Sequence, residues 1–151
     1  MSDEETFEIS LRQLENYQFL VDFQLPDTPK LLIDELPALG EGKGPNPSRI
    51  LASSVAGCLS ASLLFCLRKA DFDPAAMGAR VQITLGRNEK NRLRVKKIAI
   101  SLEVEFSDSE IPKRFEKCKK IFEEFCVVTQ SVRDGIPIDV NVISKLPEAN
   151  P

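Results

Sequence analysis

The folds open to this chain are limited chiefly by an apolar segment from Ile50 to Leu67 that contains no charged residue. Its 18 residues could cross a bilayer, but Gly57 and four serines lower its hydropathy. We therefore expect a buried central helix and no membrane partner. Asn46 suits the N-cap of this helix and Pro47 its first position, so the helix should begin there and end near Ala70.

Alternating apolar residues predict strands on both sides of this helix. A second, amphipathic helix should lie before the last strand, with Ser109 as its N-cap and an apolar stripe at helical spacing. Six strands are predicted, over residues 7–11, 19–23, 31–33, 81–85, 98–106 and 136–142. The stripe of the second helix consists of Ile111, Phe115, Cys118, Phe122 and Phe125. This order indicates a single α+β domain over residues 1–151 with mostly antiparallel pairing.

Composition excludes several classes of function. The 20 basic residues are offset by 23 acidic ones and are spread along the chain, which disfavours a nucleic-acid partner. The N-terminal sequence MSDEETFEIS lacks the basic and apolar regions of a secretory signal, so we expect a cytoplasmic protein. The chain has no histidine, which excludes hydrolases that use imidazole as a base and mixed Cys/His zinc sites. No resident metal or cofactor is expected.

The chain has four cysteines, which a reducing cytoplasm should keep as thiols. Cys66 and Cys118 lie on apolar faces of the two predicted helices and are interpreted as small core residues. Cys58 is surrounded by small residues, which fits either a close helix crossing or space for a peroxide or a second sulfur. Cys126 ends the amphipathic helix and, taken alone, fits a structural role.

Two segments carry a family resemblance. GPNPSRILASSVAGCLSASLLFCLRK, residues 44–69, and FEEFCVVTQSVRDGIPIDVNV, residues 122–142, resemble the cysteine-bearing helices of the osmotically inducible protein C and organic hydroperoxide resistance (OsmC/Ohr) family. The likeness includes the Asn-Pro that opens the first cysteine helix twelve residues before Cys58. It implies an OsmC-like fold, with antiparallel sheets packed on two long cysteine-bearing helices in an intertwined homodimer.

The resemblance also implies a chemistry. Cys58 would be the thiolate that attacks an organic hydroperoxide or hydrogen peroxide, and Cys126 would resolve the resulting sulfenic acid as a disulfide. A dithiol reductant, often a lipoyl group in this family, would restore both thiols. The implied role is defence against oxidative or osmotic stress.

The sequence departs from the family pattern where the thiolate should be activated. Ser48 stands where well-studied members have a glutamate, and the loop that should carry its arginine partner has only Lys30. Arg49 is a candidate replacement, although it falls about half a turn away from Cys58 on an ideal helix. Val127 stands where hydroperoxide-reducing members tend to have proline.

Polar residues after Cys126 are further candidates for the site. Thr129, Gln130 and Arg133 would line it if the chain bends back there, or else they are turn residues before Asp134-Gly135. The missing glutamate keeps a second hypothesis open, a non-enzymatic OsmC-like protein that binds a small molecule or senses oxidants. A metal site built from the four thiols is disfavoured by the core positions assigned to two of them.

Overall fold

The computed structural model describes residues 4–107 and 113–147, which form two antiparallel sheets and a set of helices. The chain begins with a three-stranded sheet of β1 (Ser10–Gln13), β2 (Phe19–Asp22) and β3 (Leu31–Ile33), in that order across the sheet. The turn predicted between the first two strands is present, with Asn16 at a φ of 48°. β1 begins later than predicted, so Phe7 and Ile9 lie outside the sheet and are exposed.

A glycine- and proline-rich loop then carries the chain to the central helix. Asp34 at its start is buried, and one carboxylate oxygen accepts the backbone N–H groups of Glu41 and Lys43 at 3.2 and 3.1 Å. Gly40 packs so close to Asp34 and the Glu35 carbonyl that a side chain would collide with them. The loop is thus held in one shape by its own polar contacts.

The central helix α1 spans Pro47–Lys69, as the sequence predicts. Its N-cap is Asn46, whose side-chain oxygen accepts the N–H of Arg49 at 3.2 Å. By length and composition α1 could cross a membrane, a test that the core helix of a soluble protein also passes. In this structure it packs against the long hairpin and the helices that follow it. Its buried face consists of Ala52, Val55, Ala56, Leu59, Leu63 and Leu67.

The hairpin of β4 (Ala76–Arg87) and β5 (Leu93–Glu105) covers one side of α1. Both strands are longer than predicted, and a bulge shifts their register at Thr84 and Leu85. The apolar face of β5 completes the core with Ile98, Ile100, Leu102 and Val104. At the tip of the hairpin, several basic side chains line an open surface pocket: Arg87, Lys90, Arg92, Arg94 and Lys96.

The second cysteine-bearing segment differs from the prediction of one continuous helix. It consists of α2 (Lys113–Ile121), a 3₁₀ turn (Phe122–Phe125) and α3 (Val127–Asp134). Cys126 has an extended backbone, with φ −81° and ψ 100°, and breaks the helix there. The β-branched residues after it were expected to weaken helix, but they form the first turn of α3 because the Cys126 side chain caps it. Ser109 and Ile111 lie outside the described residues.

The last predicted strand, residues 136–142, is absent from the single chain, so this prediction is wrong here. Residues 135–147 form no helix or strand. The side chains of Ile138, Val140 and Val142 are each more than four-fifths exposed. Within the described part of this chain no strand edge pairs with the segment, so its alternating pattern has no sheet to bury it. The α+β class with antiparallel sheets is nevertheless confirmed.

Candidate thiol site

The two free cysteines, Cys58 and Cys126, meet where α1 packs against the 3₁₀ turn and α3. Cys58 is partly exposed near the middle of α1, whereas Cys126 is fully buried. Cys58 packs against the buried cluster that contains Cys126, and each sulfur shifts the pKa of the other. The two cysteines expected from the family resemblance to act together therefore lie together, with one sulfur accessible and the other shielded.

Cys126 is held by polar groups as well as by packing. It is the N-cap of α3, and its Sγ accepts the backbone N–H of Thr129 at 3.4 Å. The Sγ–H of the thiol donates to Thr129 Oγ1 at 2.9 Å, and the side chain of Ser62 also lowers the pKa of Cys126. A buried sulfur surrounded by such partners is well placed to carry a negative charge.

The two sulfurs are consequently unequal. Burial raises the pKa of Cys58, and the hydrogen bond to Cys126 raises it further. Burial also acts to raise the pKa of Cys126, but the hydrogen bonds from Cys58, Thr129 and Ser62 outweigh it and lower that pKa below its ordinary value. These opposite directions favour Cys126 over Cys58 as the sulfur that loses its proton first.

Cys58 receives help from a helix other than its own. It lies more than two turns inside α1, too deep to benefit from that helix's N-terminus. The backbone N–H groups of Val128 and Thr129, in the first turn of α3, form hydrogen bonds to its sulfur and favour the thiolate. The positive end of α3 thus faces the sulfur pair, which sequence spacing alone could not reveal.

The candidate cation at the start of α1 does not reach the sulfurs. Arg49 is exposed, and its Nη1 donates to the Asn46 side chain at 3.2 Å. Nine residues of helix place it about 13 Å from Cys58 along the axis. Ser48, the second residue of α1, is half-buried in the same turn. Lys30 forms an ion pair with Asp22, at 3.1 Å.

Of the polar residues after Cys126, Thr129 contacts the Cys126 sulfur, whereas Gln130 and Arg133 contact Glu123. Arg133 forms an ion pair with Glu123, with Nη2 2.7 Å from Oε2, and Gln130 donates to the Glu123 backbone carbonyl at 2.9 Å. Thr129, Glu123 and Arg133 line a cleft of about 340 Å³ between α1, β5 and α3. Neither sulfur lines this cleft directly, but Thr129 belongs both to its wall and to the cap around Cys126. Its apolar walls are Val55, Leu59, Ile98, Ile100 and Val132.

Sequence reasoning missed two of these residues. Ser62 follows Cys58 by four residues on α1, a spacing that puts both on one face of the helix. Glu123 precedes Arg133 by ten residues across a helix break, so their ion pair depends on the bend at Cys126. The first could have been found from helical spacing, whereas the second could not.

The prediction that Cys66 and Cys118 are thiols is wrong in this structure, because the two form a disulfide. Their Cα atoms lie 5.8 Å apart, within the range that a disulfide requires. Their assignment to the core is correct, since Cys118 is buried in the central cluster and Cys66 packs against it. The apolar stripes of α1 and α2 face each other, which brings the two sulfurs together.

Within residues 4–107 and 113–147, no three histidine, cysteine or acidic side chains come together as a metal site would require. Two of the four cysteines are bonded to each other in this structure. The remaining two, Cys58 and Cys126, are free thiols.

Solved structures of similar fold come from several bacteria. An OsmC-like protein of unknown function from Vibrio cholerae is 16% identical, with a TM-score of 0.73 over 85% of this chain and 94% of that one. An organic hydroperoxide resistance protein from Elizabethkingia anophelis is 11% identical, with a TM-score of 0.66 over 88% and 91%. One from Legionella pneumophila, described as an organic hydroperoxide resistance protein OsmC, is 16% identical, with a TM-score of 0.58 over 85% and 90%. These likenesses establish the fold.

The α+β fold, with a central helix packed on a long antiparallel hairpin, is the fold of small OsmC-like proteins. The profile of the family described as OsmC-like protein matches residues 40–141, more than half of the chain and all four cysteines. The chain belongs to the OsmC-like protein family. No curated protein sequence matches it.

Proposed function

We propose that this chain is a thiol-dependent peroxidase that reduces organic hydroperoxides or hydrogen peroxide, in defence against oxidative or osmotic stress. The observation that carries the proposal is the packing of the accessible Cys58 against the buried cluster that contains Cys126, the N-cap of α3. Organic hydroperoxide resistance proteins among the structures of similar fold support it.

Cys58 is the attacking sulfur in this proposal because it is the accessible one. Its proton passes to the Cys126 thiolate as its sulfur attacks the terminal peroxide oxygen. The O–O bond breaks, the sulfur is oxidised to a sulfenic acid, and the released alkoxide becomes the alcohol on taking a proton from solvent. The Cys126 thiol then attacks the sulfenic sulfur, forming the disulfide and releasing water.

In this scheme the Cys126 thiolate accepts the proton of Cys58. It takes the place of the glutamate and arginine that well-studied members of the family have. The Cys126 charge is stabilised by Thr129, Ser62 and the first turn of α3. The proposed contribution of Arg49 is structural, since its side chain donates to Asn46, the N-cap of α1. Ser48 is half-buried in the same turn of the helix. Both lie far from the reacting sulfurs.

The cleft beside Thr129 is the proposed place for the organic part of the substrate. Its apolar walls suit an alkyl or aryl group, and Arg133, Lys96 and Lys97 lie at its polar side. Gln130 supports this side by donating to the Glu123 backbone carbonyl. The ion pair with Glu123 holds Arg133 in position. An apolar hydroperoxide should therefore react faster than hydrogen peroxide, because it gains contacts that hydrogen peroxide lacks.

We propose a dithiol, such as a lipoyl group, as the reductant. The buried Cys126 makes Cys58 the sulfur that an external thiolate can reach. Attack there forms a mixed disulfide and releases Cys126, and the second thiol of the donor then completes the exchange. We further propose that the protein acts in the cytoplasm, where such donors are kept reduced.

An intertwined homodimer is proposed because the single chain leaves too much surface uncovered. It exposes 12640 Å², whereas a compact monomer of this mass exposes roughly 7,700 Å². The excess, about 5,000 Å² for one chain, is larger than one chain's half of a typical obligate interface, as an intertwined pair of chains would require. Residues 136–142 supply an alternating apolar segment without a partner among the described strands, and an edge of a partner's sheet would pair with it.

Turnover tests the proposed activity. The variant Cys66→Ser/Cys118→Ser removes the second sulfur pair, and it should consume many equivalents of cumene hydroperoxide when supplied with dihydrolipoamide. The matched variant Cys58→Ser should consume none beyond the uncatalysed rate. Consumption that stops at one equivalent per chain would reject a catalytic cycle.

A non-enzymatic role is the second candidate, and a specific observation favours it. Burial and Cys126 raise the pKa of the accessible thiol, Cys58, which slows its reaction with peroxide. A protein with that property would act as a binder or as a single-use sensor of oxidants. One equivalent consumed, with no effect of the dithiol on the amount, is the result this alternative predicts.

A further inference from the structure

The seam between α1 and the second cysteine-bearing segment contains two sulfur pairs. Cys58 and Cys66 are eight residues apart on α1, and Cys118 and Cys126 are eight residues apart on the facing segment. Because the segments run in opposite directions, Cys58 faces Cys126 at one end while Cys66 is bonded to Cys118 at the other. The eight residues between the pairs rise about 12 Å along α1, too far for a sulfur of one pair to attack the other.

Apolar side chains pack on both sides of the Cys66 to Cys118 bond. Leu63, Leu67 and Phe122 belong to the same buried cluster and hold α1 against the facing segment. A cysteine thiol is a small apolar side chain that such a seam accommodates. The 5.8 Å between the two Cα atoms therefore fits both the dithiol and the disulfide, and the bond can open without unpacking the core.

The two sulfurs of this pair differ in their access to solvent. Cys66 is half-buried, and its neighbour Phe65 is 61% exposed, so this stretch of α1 lies at the surface of the chain. Cys118 is only 3% exposed. A small thiol can thus reach Cys66 and cannot reach Cys118, which fixes the direction of exchange.

We propose that Cys66 and Cys118 form a second redox centre, a dithiol/disulfide couple that exchanges with small thiols and disulfides through Cys66 and clamps α2 onto α1 when oxidised. This centre is independent of the peroxide chemistry proposed for Cys58 and Cys126. Its chemistry needs only a thiol/disulfide couple such as glutathione and its disulfide.

The oxidation proceeds in two balanced steps. The Cys66 thiolate attacks one sulfur of glutathione disulfide, forming a mixed disulfide and releasing one glutathione thiolate. The Cys118 thiolate then attacks the Cys66 sulfur and releases the second glutathione. Two electrons pass from the protein to glutathione disulfide, and the two thiol protons end on the two released glutathione thiolates. Reduction is the reverse, with glutathione attacking Cys66 and Cys118 leaving.

The experiment uses the variant Cys58→Ser/Cys126→Ser, which keeps only the second pair. Serine at position 126 preserves an N-cap for α3, so the fold should be retained, and circular dichroism checks this. The variant is equilibrated in a series of buffers with an increasing ratio of glutathione disulfide to glutathione and is then quenched with acid. Mass spectrometry gives the mass of the intact protein in each sample. We expect the form lacking two hydrogens to rise from none to all of the protein across the series.

Trapping tests the order of attack. Briefly exposed to glutathione disulfide, the reduced variant should carry glutathione on Cys66 and none on Cys118. Adding Cys118→Ser should make that adduct accumulate, since nothing remains to displace it. If the double serine variant unfolds, wild-type protein is used instead and is digested with chymotrypsin. The enzyme cuts at Leu63, Leu64 and Phe65, between Cys58 and Cys66, so the peptides show which cysteine carries glutathione.

Three results would overturn the proposal. Both sulfurs could stay as thiols in glutathione disulfide alone. The disulfide could resist excess dithiothreitol in the folded protein and open only in urea, as an inert structural bond would. Glutathione could instead be found on Cys118, which would refute the order of access. None of these results bears on the turnover test of Cys58.

Discussion

The Cys66 to Cys118 disulfide should make a large contribution to stability that oxidation can switch. It joins residues separated by 52 positions. Closing a loop of that length removes chain entropy worth about 4 kcal/mol from the unfolded state at room temperature. The free energy of unfolding of the oxidised protein should exceed that of the reduced protein by about this amount.

Urea unfolding followed by circular dichroism measures the difference. With an m-value of about 2 kcal/mol/M, typical of small proteins, the midpoint should fall by about 2 M on reduction. Oxidised and reduced Cys58→Ser/Cys126→Ser protein should be compared, so that the first sulfur pair cannot contribute. Both samples must have the same protein concentration, because the stability of a dimer depends on it.

A matched control shows whether the effect belongs to the bond. Cys66→Ala/Cys118→Ala in the same background should unfold at about the midpoint of the reduced protein and should not respond to dithiothreitol. If the oxidised and reduced midpoints differ by less than about 0.5 M, corresponding to about 1 kcal/mol, the disulfide does not constrain the unfolded chain as reasoned here.

Three further predictions concern the thiol site. Thr129→Val removes a hydroxyl beside the buried Cys126 sulfur. It should raise the pKa of Cys126, seen as a shift in the ultraviolet absorbance of the thiolate against pH. An unchanged titration would show that the hydroxyl does not stabilise the charge. Val127→Pro should leave the midpoint of unfolding unchanged or slightly higher, because Val127 is the first residue of α3 and Cys126 before it is extended; a large loss of stability would contradict the assigned helix start. The pKa of Cys126 is lowered from 9.0 by folding, so just below pH 9.0 the unfolded state binds more protons than the folded state. The free energy of unfolding should therefore rise as the pH rises towards 9.0. The pKa of Cys58 is raised by folding, so the free energy of unfolding should fall again above pH 9.0. Subtracting the curve of Cys58→Ser/Cys126→Ser isolates this dependence, and a flat difference would refute the assignment of charge within the pair.

The elements that the sequence predicts well are those decided by neighbouring residues. The central helix begins and ends where Asn46, Pro47 and the following apolar run require, because capping and helical periodicity are local properties. The hairpin is equally local, since alternating residues flank a turn at Asn88 to Arg92. Contacts between nearby residues therefore account for the correct part of the prediction.

The parts that were wrong or missed depend on distant contacts. The break at Cys126 arises because a sulfur can cap α3, a role that β-branched neighbours conceal in sequence. The Cys66 to Cys118 bond depends on the register between two helices that are 52 positions apart. The segment 136–142 has the pattern of a strand, but a strand also needs a partner, and the single chain supplies none among its described residues.

The pairing of Cys58 with Cys126 was implied by family resemblance, whereas its electrostatics were not. The resemblance directed attention to a cation near Cys58, and Arg49 was the candidate. In the structure the groups around the sulfurs are neutral donors from Ser62, Thr129 and the first turn of α3. Such donors leave little trace in sequence, because serine and threonine have many other uses.

The central claim is that Cys58 and Cys126 act as one redox pair, and peptide mapping tests it most directly. Reduced wild-type protein is treated with one equivalent of cumene hydroperoxide, quenched, and digested with chymotrypsin without reductant. We predict a disulfide that joins the peptide of Cys58 to that of Cys126. Recovery of both as free thiols, or of scattered over-oxidised cysteines without that bond, would contradict the account and leave the binding or sensing role in its place.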